Sequence, residues 1–127
     1  MQSTVVNMPG KDAPQEAMQL LALRGLFGAI DNIRSSLKLD VEEMLLYLCI
    51  GYLNTERIQR VGSNGYIAST NISSVADFMK IPKETARRKI KRLAAMGLIE
   101  NTQGVVVSDV SQWFSVARQL PLSDKGR

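Results

Sequence analysis

The sequence predicts a mainly α-helical chain with a small β-hairpin wing: a winged helix-turn-helix domain preceded by a long N-terminal helix. Three observations predict it. A capped helix is followed by a proline break and then by a strongly basic helix over 83–96. Two β-type runs, Leu98-Ile99-Glu100 and Val105-Val106-Val107, flank a turn that contains Gly104. Ahead of both, apolar residues recur at helical spacing through 14–37.

Residues 1–13 mix polar side chains around Pro9-Gly10 without a period and read as a flexible tail. From Pro14 to Leu37 the pattern is helical, and 14–39 forms the first unit. Met18, Leu21, Gly25, Ile30, Ile33 and Leu37 fall broadly on one side, with Leu20, Leu23 and Phe27 widening the stripe. Arg24, Asp31 and Arg34 interrupt it, which is wrong for a membrane helix.

The second unit, 40–122, opens on Asp40-Val41-Glu42-Glu43, a variant of the capping box in which an acceptor at the N-cap is answered by Glu three residues on. The helix it starts runs to about Glu56, and Val41, Leu45, Leu48, Cys49 and Tyr52 are expected to face the core. Gly62-Ser63-Asn64-Gly65 breaks the chain, and Tyr66-Ile67-Ala68 has the composition of a short strand. Ser74-Val75-Ala76-Asp77 reads as another helix start, with a short helix to about Lys80. Ile81-Pro82 stops it, because a residue before proline avoids the helical region. Proline in turn suits the beginning of a helix, where a missing N–H costs nothing. The next helix runs from Lys83 to Met96 and stops at Gly97. After the hairpin, Ser108-Asp109 caps a last helix through Trp113 to about Leu120, and 123–127 reads as a second tail.

Composition narrows the function classes. The chain has 127 residues, one cysteine and no histidine. A lone Cys49 forms no internal disulfide, and on an apolar helix face it reads as a buried structural thiol. Without histidine the commonest general base and metal ligand are missing, and zinc sites depend on Cys or His. No metal, no cofactor and no enzymatic activity are expected. No apolar run reaches the ~20 residues that span a bilayer, and the N-terminus lacks the pattern of a secretory signal. A cytoplasmic location is therefore expected.

Charge gives the positive indication. Net charge is +4, and Lys83–Arg92 hold six of the 16 basic residues but one of the 12 acidic ones. A nearly neutral body with one basic element is an electrostatic footprint for a polyanion. At about 100° per residue, Ala86, Ile90, Leu93 and Gly97 make one apolar stripe. Glu84, Arg88 and Lys91 lie at the opposite pole, with Arg87 on the flank.

In a helix-turn-helix the second helix enters the major groove of double-stranded DNA, and its first residues meet base edges. Lys83, Glu84, Thr85 and Arg88 occupy that first turn and a half. Arg88 suits the two-pronged bond to guanine, Glu84 a cytosine amino group, and Thr85 a thymine methyl or a phosphate. Arg87, Lys91 and Arg92 sit where phosphates pass. Asn101 and Gln103, at the hairpin tip, are placed to meet the backbone or the minor groove. Readers of this kind pair their half-sites through dimers. A homodimer through Leu20, Leu23, Phe27 and Ile30 is the expected use of the N-terminal helix. The remaining readings are a protein-interaction adaptor and a replication or partition protein using the same face.

Ser74–Asp109 resembles the winged-helix domain of the cyclic-AMP receptor protein family. The residues that carry the likeness are Ile81-Pro82-Lys83-Glu84-Thr85-Ala86-Arg87-Arg88, then Leu93, Gly97-Leu98-Ile99 and Val105-Val106-Val107. The Ile81-Pro82-Lys83 lead-in is also similar to IclR-type regulators. The resemblance implies a bacterial or phage-type transcription regulator in which Lys83, Glu84, Thr85 and Arg88 read the operator. Lys80 stands where that family often has glycine, and Lys83 where it has arginine. Residues 1–60 leave no room for the family's cyclic-nucleotide-binding β-roll, so nucleotide sensing does not carry over.

Overall fold

The computed structural model describes residues 13–61 and 68–121. The fold is mainly helical with one small antiparallel sheet, in the order α1 (Ala13–Leu37), α2 (Val41–Val61), α3 (Ile72–Met79), α4 (Lys83–Ala95), β1 (Ile99–Asn101), β2 (Val105–Val107) and α5 (Val110–Ala117). The expected tails over 1–12 and 123–127, and the strand expected at Tyr66-Ile67, lie outside the described residues.

Helix α2 is the centre of the molecule and packs against α1, α3, α4, α5 and β2. Its start is the reciprocal cap that the sequence predicts. The Glu43 N–H donates to Asp40 Oδ1 at 2.8 Å, and the Asp40 N–H donates to Glu43 Oε1 at 3.0 Å. Its buried face is not the expected one. Val41, Leu45 and Tyr52 are exposed, whereas Met44, Leu46, Tyr47 and Ile50 are buried with Cys49. Two apolar stripes run along α2 on nearly opposite sides, and periodicity cannot choose between them. The choice is made by what packs on the helix, above all the indole of Trp113, whose Nε1 donates to the Tyr47 carbonyl at 3.1 Å.

Helix α3 starts earlier than predicted. Asn71, not Ser74, is its N-cap, and Asn71 Oδ1 accepts from the Ser74 N–H at 2.8 Å. An Asn side chain reaches the open N–H groups of the first turn as well as Ser does. Lys80 ends the helix in the left-handed region, with φ 59°. That costs a non-glycine residue about 1 kcal/mol, and the Ile81 N–H donating to Ala76 at 3.1 Å helps to hold it. Helix α4 begins straight after Pro82 and buries Ala86, Ile90 and Leu93, as its apolar stripe requires. Gly97 follows at φ 82° and is exposed, past the end of the stripe.

The hairpin pairs Ile99 with Val107, Glu100 with Val106 and Asn101 with Val105. Thr70 adds a single antiparallel bridge to Val105, with hydrogen bonds of 2.9 and 2.8 Å. Asp109 caps α5 by accepting from Gln112. The helix stops at Ala117, short of the expected Leu120. The residues after it, to Pro121, run back along α1, where Gln119 accepts from the Asn32 amide at 2.7 Å.

The single stripe expected on α1 divides in two. Ile33 is buried, and Ile30 and Leu37 pack against the core. Met18, Leu20, Leu21, Leu23 and Phe27 are exposed; among the described residues the core packs on the C-terminal turns of α1, and Pro121 comes near its middle at Gly25. No helix among the described residues is long and apolar enough to cross a membrane.

Candidate functional site

Helix α4 carries its basic residues on two different errands. Lys89 and Arg92 face the N-terminus of α2. Lys89 Nζ lies 3.2 Å from Asp40 Oδ2 and 3.3 Å from Glu42 Oε1. Arg92 Nε pairs with Glu43 Oε2, whose side chain is only 4% exposed. The same carboxylate that caps α2 therefore also fixes α4. The Glu43 backbone N–H, helped by Lys89 and Arg92, holds the Asp40 carboxyl below the usual carboxylate range against a smaller opposing effect of burial. Burial works to lower the Lys89 pKa, but the Asp40 and Glu42 carboxylates outweigh it and raise the pKa.

The remaining cations point outward. Arg88 and Lys91 are exposed and make no ion pair among the described residues. Arg87 Nε meets Glu84 Oε1 at 3.4 Å, one turn away. Both side chains are more than half exposed, so this pair adds little rigidity. Thr85 is half-buried beside Ala86. Pro82 offers no side-chain cap, which leaves the first N–H groups of α4 uncapped by any side chain.

A cleft of about 310 Å³ opens between the starts of α3 and α4 and the hairpin. Asn71, Ser73, Lys83, Arg87, Asn101 and Gly104 are among its lining residues. It unites Lys83, Arg87 and Asn101, which sequence reasoning assigned to one surface, and adds Asn71 and Ser73, which it missed. A cap Asn beside a Ser was the available signal. Asn101 sits in the β1–β2 ladder rather than at the tip, and Gln103 is exposed in the turn. Gly104 has φ 112°, and a Cβ there would come within 2.8 Å of Ser69 Cβ, so glycine is required.

Besides the Thr70 bridge and its own buried apolar residues, the hairpin is tied to the body by a buried polar side chain that sequence reasoning also missed. Asn54 of α2 is fully buried. Its amide donates to the carbonyls of Ala68 at 2.8 Å and Val105 at 3.1 Å, and its oxygen accepts from the Val107 N–H at 3.0 Å. A lone Asn in an apolar helix was the signal.

The other candidate reactive groups lie in the core. Burial pushes the Cys49 thiol up to about 11. Burial, with Asp109 nearby, pushes Tyr47 up to about 12. No group of three or more His, Cys, Asp or Glu side chains that could hold a metal ion occurs among the described residues. No protein-family model matches this chain, and no curated protein or solved structure matches it.

Proposed function

We propose that this protein is a homodimeric, sequence-specific DNA-binding protein of the winged helix-turn-helix type, acting as a transcription regulator. One observation carries the reading. After Lys89 and Arg92 are taken up by the acidic start of α2, α4 still presents Arg88 and Lys91 outward, beside a cleft carrying Lys83 and Arg87. A face on which Glu84 is the single acid among four outward cations is self-repelling unless a polyanion lies on it.

In this reading α4 enters the major groove. Lys83, Glu84, Thr85 and Arg88 face base edges, with Arg88 forming the bidentate bond to guanine. Arg87, Lys91, Asn71, Ser73 and Asn101 meet phosphates, and Gln103 extends from the hairpin toward the backbone. Arg92 takes a different part from the one its position suggests. It sets the angle of α4 on the body through Glu43. Helix α1 supplies the dimer contact through the exposed Leu20, Leu23 and Phe27 and through Ile30, which is half-buried against the chain's own core.

Fluorescence anisotropy with genomic DNA fragments tests the reading. Specific binding that weakens steeply with salt is expected, because phosphate contacts release counterions. Retention of full affinity in Arg88→Ala and Lys91→Ala would overturn the assigned face.

A second reading, a protein-interaction adaptor, is favoured by one feature. Leu45, Leu48, Tyr52, Phe78 and Met79 line an apolar groove of about 290 Å³ between α2 and α3. Salt-insensitive co-purification with a protein, without nucleic acid, would favour it.

A further inference from the structure

We infer that two copies of α1 pair antiparallel in one fixed register, with Glu16 of each copy against Arg34 of the other. This rests on the homodimer reading above and deepens it.

Glu16, Leu20, Leu23, Phe27, Ile30 and Arg34 are separated by four, three, four, three and four residues. At about 100° per residue they fall within an arc of roughly 80°, the narrow seam of a two-helix coil. Leu20, Leu23 and Phe27 on this seam are 62%, 47% and 64% exposed, and only Pro121, across a groove from Leu23, comes near them among the described residues. Glu16 Oε1 and Arg34 Nε, at its two ends, are shielded from solvent and have no hydrogen-bond partner among the described residues.

The spacing reads the same in both directions. A two-fold axis at the level of Gly25 sets residue 16 opposite 34, 20 opposite 30, and 23 opposite 27. Apolar residues then meet apolar residues through the four central layers, and opposite charges close both ends. A parallel pair would instead set Glu16 against Glu16 and Arg34 against Arg34. A slip by one heptad would carry a charge into an apolar layer. Both alternatives are disfavoured by the charges alone.

The other exposed apolar residues of α1, Met18 and Leu21, lie on a different side of the helix. That side leads to Gly25 and Asn32. There the residues after α5 already lie close: a Cβ at Gly25 would be 4.0 Å from Pro121 Cγ, and Asn32 bonds to Gln119. Leu20, Leu23 and Phe27 are the stretch of the seam left open for a second copy, with Ile30 half-buried at the edge of the chain's own core.

Sedimentation equilibrium of the full chain tests the pairing. Glu16→Arg or Arg34→Glu should weaken dimerisation by about tenfold or more, since each sets like charges together twice per dimer. The double variant should return to within a few-fold of the parent. Failure of the double variant to recover, with helix content retained, would overturn the register. Disulfide trapping gives a reading that leaves the end charges intact. A mixture of Leu23→Cys and Phe27→Cys chains should cross-link to each other, whereas Leu23→Cys chains joined to themselves would show a parallel pair and sink the proposal. Cys49 is buried and does not compete. A chain that stays monomeric at every concentration would overturn the homodimer reading as well. The DNA-binding reading is tested separately, through Arg88 and Lys91.

Discussion

The indole of Trp113 lies directly on the α2 backbone at Gly51, and a Cβ at that glycine would sit inside the ring system. Gly51 is helical, so its role is close approach rather than an unusual backbone angle. The contact lets α5 dock against α2 and lets the Trp113 Nε1 reach the Tyr47 carbonyl. Gly51→Ala should therefore destabilise the protein by about 2 kcal/mol, since overpacking a filled core forces side chains off their rotamers. That outcome runs against helix propensity, which favours Ala over Gly by about 1 kcal/mol. Urea titration measures the balance, and a stabilised variant would refute the packing account.

Asn54 joins α2 to the hairpin through three hydrogen bonds. Asn54→Leu removes the donor and acceptor together and leaves the Val107 N–H buried without its partner. A loss of about 2–3 kcal/mol is expected, the cost of an unmet buried polar group plus imperfect packing. Hydrogen exchange should show the Val107 amide losing protection ahead of the α4 amides.

Arg92 and Arg88 stand four residues apart and should behave oppositely. Arg92→Ala leaves Glu43 buried without its cation. Because Arg92 itself is half-exposed, a cost of about 1–3 kcal/mol is expected, below that of a fully buried pair. Arg88→Ala should leave the melting temperature nearly unchanged; on the DNA-binding reading proposed above, it should also lower DNA affinity, and Lys91→Ala should reduce the slope of affinity against salt by about one. Thermal melts and anisotropy on the same three variants separate the errands.

The α2–α4 clamp also contributes to the pH dependence of stability. The Asp40 carboxyl is held low in the folded state, chiefly by the Glu43 N–H. Its contribution is present above the ordinary value of 3.8 and is lost as pH falls through the depressed folded value. Lys89 is held high by Asp40 and Glu42 against desolvation. Its contribution is present below 10.5 and is lost as pH rises through the raised folded value. Asp40→Asn should flatten the acid limb and Lys89→Met the alkaline limb in melts recorded across pH.

The features legible along the chain are those that depend on near neighbours. The Asp40–Glu43 cap, the break at Pro82, the apolar stripe through Ala86, Ile90 and Leu93, the stop at Gly97 and the β1–β2 hairpin are all local. Capping, proline geometry and helical period act within about four residues, so their signals are written in order along the chain. The concentration of charge on α4 was legible for the same reason.

Which cations of α4 remain outward depends on the packing of α4 against α2. Lys89 and Arg92 are held by carboxylates about fifty residues earlier in the chain, at Asp40, Glu42 and Glu43, and no local rule marks that partnership. Packing likewise chose the buried face of α2, through Trp113 at Gly51, and gave Asn54 its place under the hairpin. It also left Leu20, Leu23 and Phe27 of α1 exposed. The physical reason is the same in each case. Burial and ion pairing depend on which surfaces meet, and an apolar helix with two usable faces carries no local information about which one will be covered.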